Sequence, residues 1–322
     1  MSWVTPLGEI LPTRMDEIDK IRRFFVKGPI EEADQLLLHS TLLNDTIGCE
    51  RAFQLGANPN ACQDNKVTAL HIAAEKGFPG ITSALIKGAK KSGKKLNLNP
   101  ETVFRNTPLV LSIMHDNIEV MEMLLAAGAD PNKPHTFERT PLHIAAFFGR
   151  VKATIILIDY HANMNVVDCF DQTPLSLALI ARHSAALVRH LLEGGADPNF
   201  RTKSSMPILS LAVLSCNKYK ELKNVNFLIK AGADVKATDN IKLDTALHKA
   251  AQTGYIKCID LLLRKGANIF AQNIYGHTPL NIAIRYKNVA AAIHLYQIEE
   301  ELEEEEFNKL TPIEEKAPVI QK

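Results

Sequence analysis

No stretch of the 322-residue chain approaches the roughly 18 consecutive apolar residues that a membrane-spanning helix requires. The N-terminus has no basic segment running into an apolar core, which argues against a cleavable secretory signal. Cysteines are few: Cys49, Cys62, Cys169, Cys216 and Cys258 are scattered, odd in number and never spaced as CxxC. Reduced thiols in a cytoplasmic setting fit this pattern better than a disulfide framework. There is no GxGxxG after a strand, no P-loop, and no Ser or Cys in a recognisable nucleophile context. Catalysis, a cofactor and a metal are therefore not expected.

What the chain has is a rhythm. Thr68, Thr107, Thr140, Thr173, Met206, Thr245 and Thr278 recur at separations of 39, 33, 33, 33, 39 and 33 residues. A period near 33 is too long for a heptad and marks the stacking of one small supersecondary unit. The best copies read Thr140-Pro141-Leu142-His143-Ile144-Ala145-Ala146 and Thr245-Ala246-Leu247-His248-Lys249-Ala250-Ala251. Thr is a good helix N-cap, and Pro at the next position loses no hydrogen bond there. The Leu and Ala that follow form a small apolar face for close helix packing. A second word, as in Gly128-Ala129-Asp130-Pro131-Asn132 and Gly232-Ala233-Asp234, closes an outer helix with a left-handed residue and turns the chain into a hairpin.

Together these words resemble the ankyrin repeat, over roughly residues 30–297. The resemblance implies an all-α repeat solenoid of helix-turn-helix units joined by β-hairpin-like loops, each unit stabilised by its neighbours. Units are expected to start near residues 35, 68, 107, 140, 173, 206, 245 and 278, the first degenerate at Gln35. Residues 1–29 would be an N-terminal segment whose helix, Met15 to Val26, covers the first unit. Residues 298–322 would form an acidic tail. The resemblance further implies that His71, His143 and His248 bridge backbone groups of adjacent loops rather than bind metal. Their separation over different units also argues against a shared ion.

The two longer intervals each carry six extra residues. In the Met206 unit they are expected between the helices, near Ser215 to Asn224. In the Thr68 unit, where Gly88-Ala89 matches the helix-closing word, they fall around Lys87 to Lys95 and lengthen either the outer helix or the loop after it. Lys87, Lys90, Lys91, Lys94 and Lys95 make that stretch a basic projection, suited to phosphate, an acidic partner or this chain's own tail. Aromatic residues do not interleave with these lysines, which argues against nucleic acid.

In such stacks the partner surface is the hairpin tips and inner helices. Three residues before the Thr stand Phe104, Phe137 and Phe170, with Tyr275 further on. Seven residues after it come Glu75, Met114, Phe147, Ile180, Val213, Gln252 and Arg285, and Phe148 adjoins Phe147. The expected site is an apolar patch of Phe104, Met114, Phe137, Phe147, Phe148, Phe170, Ile180 and Tyr275, the kind of rimmed patch that marks interaction sites.

The net charge of +1 hides an asymmetry, since nine Glu and three Lys lie from Glu299 onward. The last outer helix can simply continue through Glu299–Glu306; alternatives are an electrostatic cover or a recognition signal. The leading functional reading is a non-catalytic scaffold, adaptor or inhibitor, a single chain that binds another protein. An alternative is a bacterial effector secreted into a host cell, because the Glu block resembles the signal of type IVB secretion substrates. In a third reading Asn60, Asn132 and Asn199 are sites of asparaginyl hydroxylation, although the Pro before each departs from the family's pattern.

Overall fold

The computed structural model describes residues 32–310 except 64, 182–183, 204 and 217–221, without side chains for 306–310. The expected helix over Met15–Val26 lies outside the described residues. Sixteen α-helices appear among those that are described, in eight consecutive pairs. The chain divides into two compact units, residues 1–145 with 159–162 and residues 146–158 with 163–322.

The first unit holds α1 (Glu32–Leu42), α2 (Thr46–Gln54), α3 (Ala69–Lys76), α4 (Pro79–Lys91), α5 (Pro108–Met114) and α6 (Ile118–Ala126). The side chains of Thr68 and Thr107 accept the N–H groups of His71 and Val110 at 3.4 and 3.3 Å, satisfying first-turn donors of α3 and α5. Small residues let the helices close: Ala73 and Ala74 on α3 are fully buried, packed into a core with Leu37, Ile81, Leu85 and Leu124. Asn117 bonds from its side-chain amide to the carbonyls of Ala74 and Glu75, tying the start of α6 to the end of α3.

The first insertion lengthens the outer helix. α4 has 13 residues where α2 and α6 have nine. The Gly88-Ala89 word does not close it. Both residues lie inside α4, and a Cβ on Gly88 would stand 2.2 Å from the Phe53 ring. Gly88 is there for close helix packing. The loop-closing position is Lys95, whose carbonyl accepts from the Asn60 side chain at 2.7 Å. The backbone carbonyls of Gly195 and Gly232 accept from Asn165 and Asn199 in the same way.

The α7 helix (Pro141–Phe147) and α8 (Val151–Asp159) form the pair through which the two units divide. The second unit continues with α9 (Pro174–Ile180), α10 (Ala185–Glu193), α11 (Ile208–Ser215), α12 (Lys223–Lys230), α13 (Ala246–Thr253), α14 (Ile256–Arg264), α15 (Pro279–Arg285) and α16 (Val289–Leu310). Here the expected register needs correction. Pro207, not Met206, is the N-cap of α11. Thr202 and Met206 pair across their hairpin (Thr202 N–H to Met206 O, 3.0 Å) as Thr102 and Asn106 pair immediately before Thr107. The shift arises upstream: α10 begins twelve residues after Thr173, whereas α6 and α14 begin eleven after Thr107 and Thr245. Val213 is accordingly buried, and Leu214 takes the half-exposed place assigned to it.

Not all of the second insertion lies between helices. The hairpin before Thr245 is one residue wider than its neighbours, closing through Leu243 N–H to Asp239 O, four residues apart, whereas Gly276 N–H to Asn273 O spans three. α16 continues through the glutamate run to Leu310.

Candidate partner-binding surface

The repeating histidines set the hairpins rigidly on the helices. The Nδ1 atoms of His71 and His248 accept the backbone N–H of Thr68 and Thr245, each at 3.1 Å. An N–H can only donate, so Nδ1 is bare and Nε2 carries the proton. Nε2 of His71 donates to the carbonyls of Asn106 and Pro100 at 3.0 and 3.1 Å, and that of His248 to His277 O at 3.0 Å. Burial pushes His71 down to about 4 and lowers His248 as well, keeping both rings neutral. Among the described residues no group of three or more His, Cys, Asp or Glu could hold a metal ion. All five cysteines are free thiols; burial, then the neighbouring Cys216, pushes Cys258 up to about 12.

The sequence-nominated residues divide between the units. In the first, Phe104 is 65% exposed at a hairpin tip, beside exposed Val103. The next tip carries exposed Phe137, with the Arg139 guanidinium 5.9 Å from its ring centroid. The two tips are joined, since Thr136 Oγ1 donates to Phe104 O at 2.5 Å. Met114 is half-buried at the end of α5. Lys87, Lys90, Lys91, Lys94 and Lys95 are exposed, but Lys94 is committed: its ammonium donates to the carbonyls of Gly56 and Ala57 at 2.5 and 3.3 Å. In the second unit, Phe147 and Phe148 are half-buried and pack edge to face, centroids 5.2 Å apart. Phe170 and Ile180 are half-buried, and Tyr275 is 60% exposed.

The Phe137 tip departs from the others. Asp168 and Asn273, at the base of their hairpins, accept two backbone N–H groups each. His135 fills that place with a buried ring whose nitrogens have no hydrogen-bond partner among the described residues. Burial, then the charges of Arg139 and Arg105, push it down to about 4. Phe137 and Glu138 are both left-handed, with φ of 62° and 59°, conformations that cost non-glycine residues on the order of 1 kcal/mol each.

Sequence reasoning missed three tip residues. Ile241 and Leu243 on the widened hairpin and Ile274 on the next are all exposed, beside Tyr275. The two tips are linked by Ile274 N–H to Lys242 O at 2.9 Å. Counting three residues back from Thr245 lands on Lys242, so the extra residue hid the apolar pair. Beneath them lies a buried charge cluster. Lys249 Nζ donates to Asp244 Oδ2 at 2.7 Å and Asp239 Oδ2 at 3.0 Å, with all three side chains under 10% exposed. Asp239 Oδ1 accepts from the N–H groups of Ile241 and Lys242, and Asn273 Nδ2 donates to Asp244 Oδ1. Burial works against the Lys249 ammonium, but Asp244 and Asp239 outweigh it and raise its pKa. The signal was available: Lys249 stands where the other repeat words carry Ile72 and Ile144, with two aspartates just upstream.

Asn60 and Asn199 of the asparagine row are also structural. Oδ1 of Asn60 accepts Asn97 N–H, and Oδ1 of Asn199 accepts Asp234 N–H, each at 2.8 Å. Their side-chain amides are the donors to Lys95 and Gly232 described above, so both ends of each carboxamide are engaged.

Comparison with known proteins agrees with this geometry. The family described as ankyrin repeats (3 copies) matches residues 38–135, 128–202 and 209–305. The ankyrin repeat domain of Bcl-3, an IκB-family protein, superposes with a TM-score of 0.62 at 28% identity, covering 72% of this chain and 100% of that one. Mouse cyclin-dependent kinase 4 inhibitor B is 28% identical over 116 residues, 35% of this chain and 85% of that protein. The putative palmitoyltransferase ZDHHC13 of Danio rerio is 24% identical over 277 residues, 86% of this chain but only 36% of that protein. Over human ZDHHC13 the match spans 14% of its length at 33% identity.

Proposed function

The chain belongs to the ankyrin repeat family, and on that premise we propose that it is a non-catalytic module that binds another protein through its hairpin tips. The observation that carries this reading is the exposure of large apolar side chains on tips whose backbones are hydrogen-bonded to their neighbours. Phe104 with Phe137, and Ile241 with Leu243, Ile274 and Tyr275, are the contact residues in the respective units. An apolar side chain on a fixed loop loses little conformational freedom when a partner covers it, and such anchors dominate binding energy. Similarity to a protein named as an inhibitor of a kinase favours an inhibitor or scaffold role. The overlap with the palmitoyltransferases is a small part of those proteins, and acyl transfer is not proposed. Phe104→Ala with Phe137→Ala, and Ile241→Ala with Tyr275→Ala, test the two tip clusters. Each affected cluster should weaken partner binding at least tenfold with helicity unchanged. Undiminished binding by both double variants would refute the reading.

A further inference from the structure

The last repeat ends on a face built like a core. Position 284 corresponds in the repeat to Leu179, Val213 and Ala251, all essentially inaccessible, yet Ile284 is 59% exposed. On α16 the same holds. Ile293 takes the place that Asp260 has on α14, where the carboxylate is bonded to His294 of α16 and so lies under the following repeat. Val289, Ile293 and Tyr296 are 66, 54 and 55% exposed and spaced along one side of the helix. A solenoid's outer end is ordinarily polar; this one presents four apolar side chains where stacking would continue.

The charges around that stripe are ordered along its length. Exposed Arg285 and Lys287 lie before it, and exposed Glu300 and Glu304 follow it on the same helix side. Basic, apolar and acidic segments in that order are complementary to themselves when a second copy is turned about a twofold axis near Ile293. At about 1.5 Å of rise per residue, Val289 at the start of α16 stands about 6 Å and Glu300 about 10 Å from that centre, on opposite sides. The turn carrying Arg285 and Lys287 lies just before Val289. The rotation therefore brings the glutamates of one copy against the basic turn of the other, at both ends. This is the isologous arrangement that closes a dimer.

We propose that the face formed by α15 and α16 is a homodimer interface, with the partner a second, antiparallel copy of this chain. α16 is about 33 Å long, and two such faces bury on the order of 1,000 Å² in total, the low end for a specific interface. Association is therefore weak and dependent on concentration and salt. The inference does not rest on the hairpin tips.

Sedimentation velocity of the full chain from low to high micromolar concentration tests it. The average mass should rise from that of one chain toward twice that value, and less so at high salt. Ile293→Asp, a change at an exposed position, should hold the mass at one chain with an unchanged circular dichroism spectrum. A charge exchange supplies an independent arm. Arg285→Glu with Lys287→Glu, and Glu300→Lys with Glu304→Lys, should each weaken self-association at least fivefold, while an equimolar mixture of the two variants recovers the dimer mass. A single-chain mass at every concentration, self-association untouched by Ile293→Asp, or no recovery on mixing would overturn the proposal.

Discussion

Lys249→Met removes the cation from a buried cluster that holds two hairpin tips. The ammonium lies 2.7 Å from Asp244 and 3.0 Å from Asp239. The thioether nearly matches the aliphatic stem in volume, so the change is chiefly one of charge. Two buried carboxylates would be left facing each other without a cation, and breaking a buried pair in this way costs about 3–5 kcal/mol. Lys249→Met with Asp239→Asn and Asp244→Asn removes the charges together and should recover most of that loss. The pH dependence follows from the carboxylates. In the wild type burial raises Asp239, but the N–H of Lys242 and the Lys249 ammonium outweigh it and hold its pKa below 3.8. Its stabilisation is present above that value and lost as pH falls through the lower folded pKa. Without Lys249 the Asp239 carboxylate takes up its proton at higher pH, so the penalty of the single variant should shrink between pH 7 and pH 4. Urea unfolding followed by circular dichroism at the two pH values measures this. Amide exchange at Ile241 and Lys242, whose N–H groups bond to Asp239, reports the loosened tip. A loss below about 1 kcal/mol at pH 7 would refute the claim that the ion cluster organises these hairpins.

Further outcomes follow from other sites. His71 has a folded pKa of about 4 against the ordinary 6.5, so stability should fall by about 3 kcal/mol as pH drops through that window and then level off. His71→Gln should flatten that part of the profile in denaturant titrations. Gly88→Val should destabilise by about 2–3 kcal/mol because its Cβ meets the Phe53 ring. Gly93→Ala, with open space but a φ of +68°, should cost about 1 kcal/mol through backbone strain alone; similar losses for both changes would contradict the packing role of Gly88. His135→Asn supplies the side-chain acceptor that Asn273 provides in its own hairpin, and should stabilise by about 1 kcal/mol. A lower thermal midpoint would show that the His135 ring is needed where it stands.

The repeat was legible because its signals are local. Thr68 and Thr107 cap helices whatever surrounds them, and short alanine-bearing helices can only be buried against one another. The eight helix pairs are therefore visible from spacing alone. What spacing hid was register. Gly88-Ala89 carries the letters of a helix-closing word, yet it sits within α4 because Phe53 of the preceding pair requires a residue without a side chain there. Met206 has the right number but not the right place, because one residue gained between α9 and the start of α10 shifts everything to Pro207. The same kind of one-residue change, in the hairpin before Thr245, removed Ile241 and Leu243 from the row that singled out Phe104 and Tyr275. The half-buried Phe147, Phe148, Phe170 and Ile180 show a further limit: periodicity reports the side of an element, while exposure depends on what the neighbouring repeat covers.

The central claim is that exposed apolar residues on hydrogen-bonded hairpin tips hold a protein partner. Quantitative affinity capture with the full chain, in bacterial and in eukaryotic lysate, measures it most directly when wild type is compared with Phe104→Ser/Phe137→Ser and Ile241→Ser/Tyr275→Ser. A stoichiometric partner should be retained by the wild type and lost from at least one tip variant of unchanged helicity. Equal recovery of the same proteins by all three forms would contradict it.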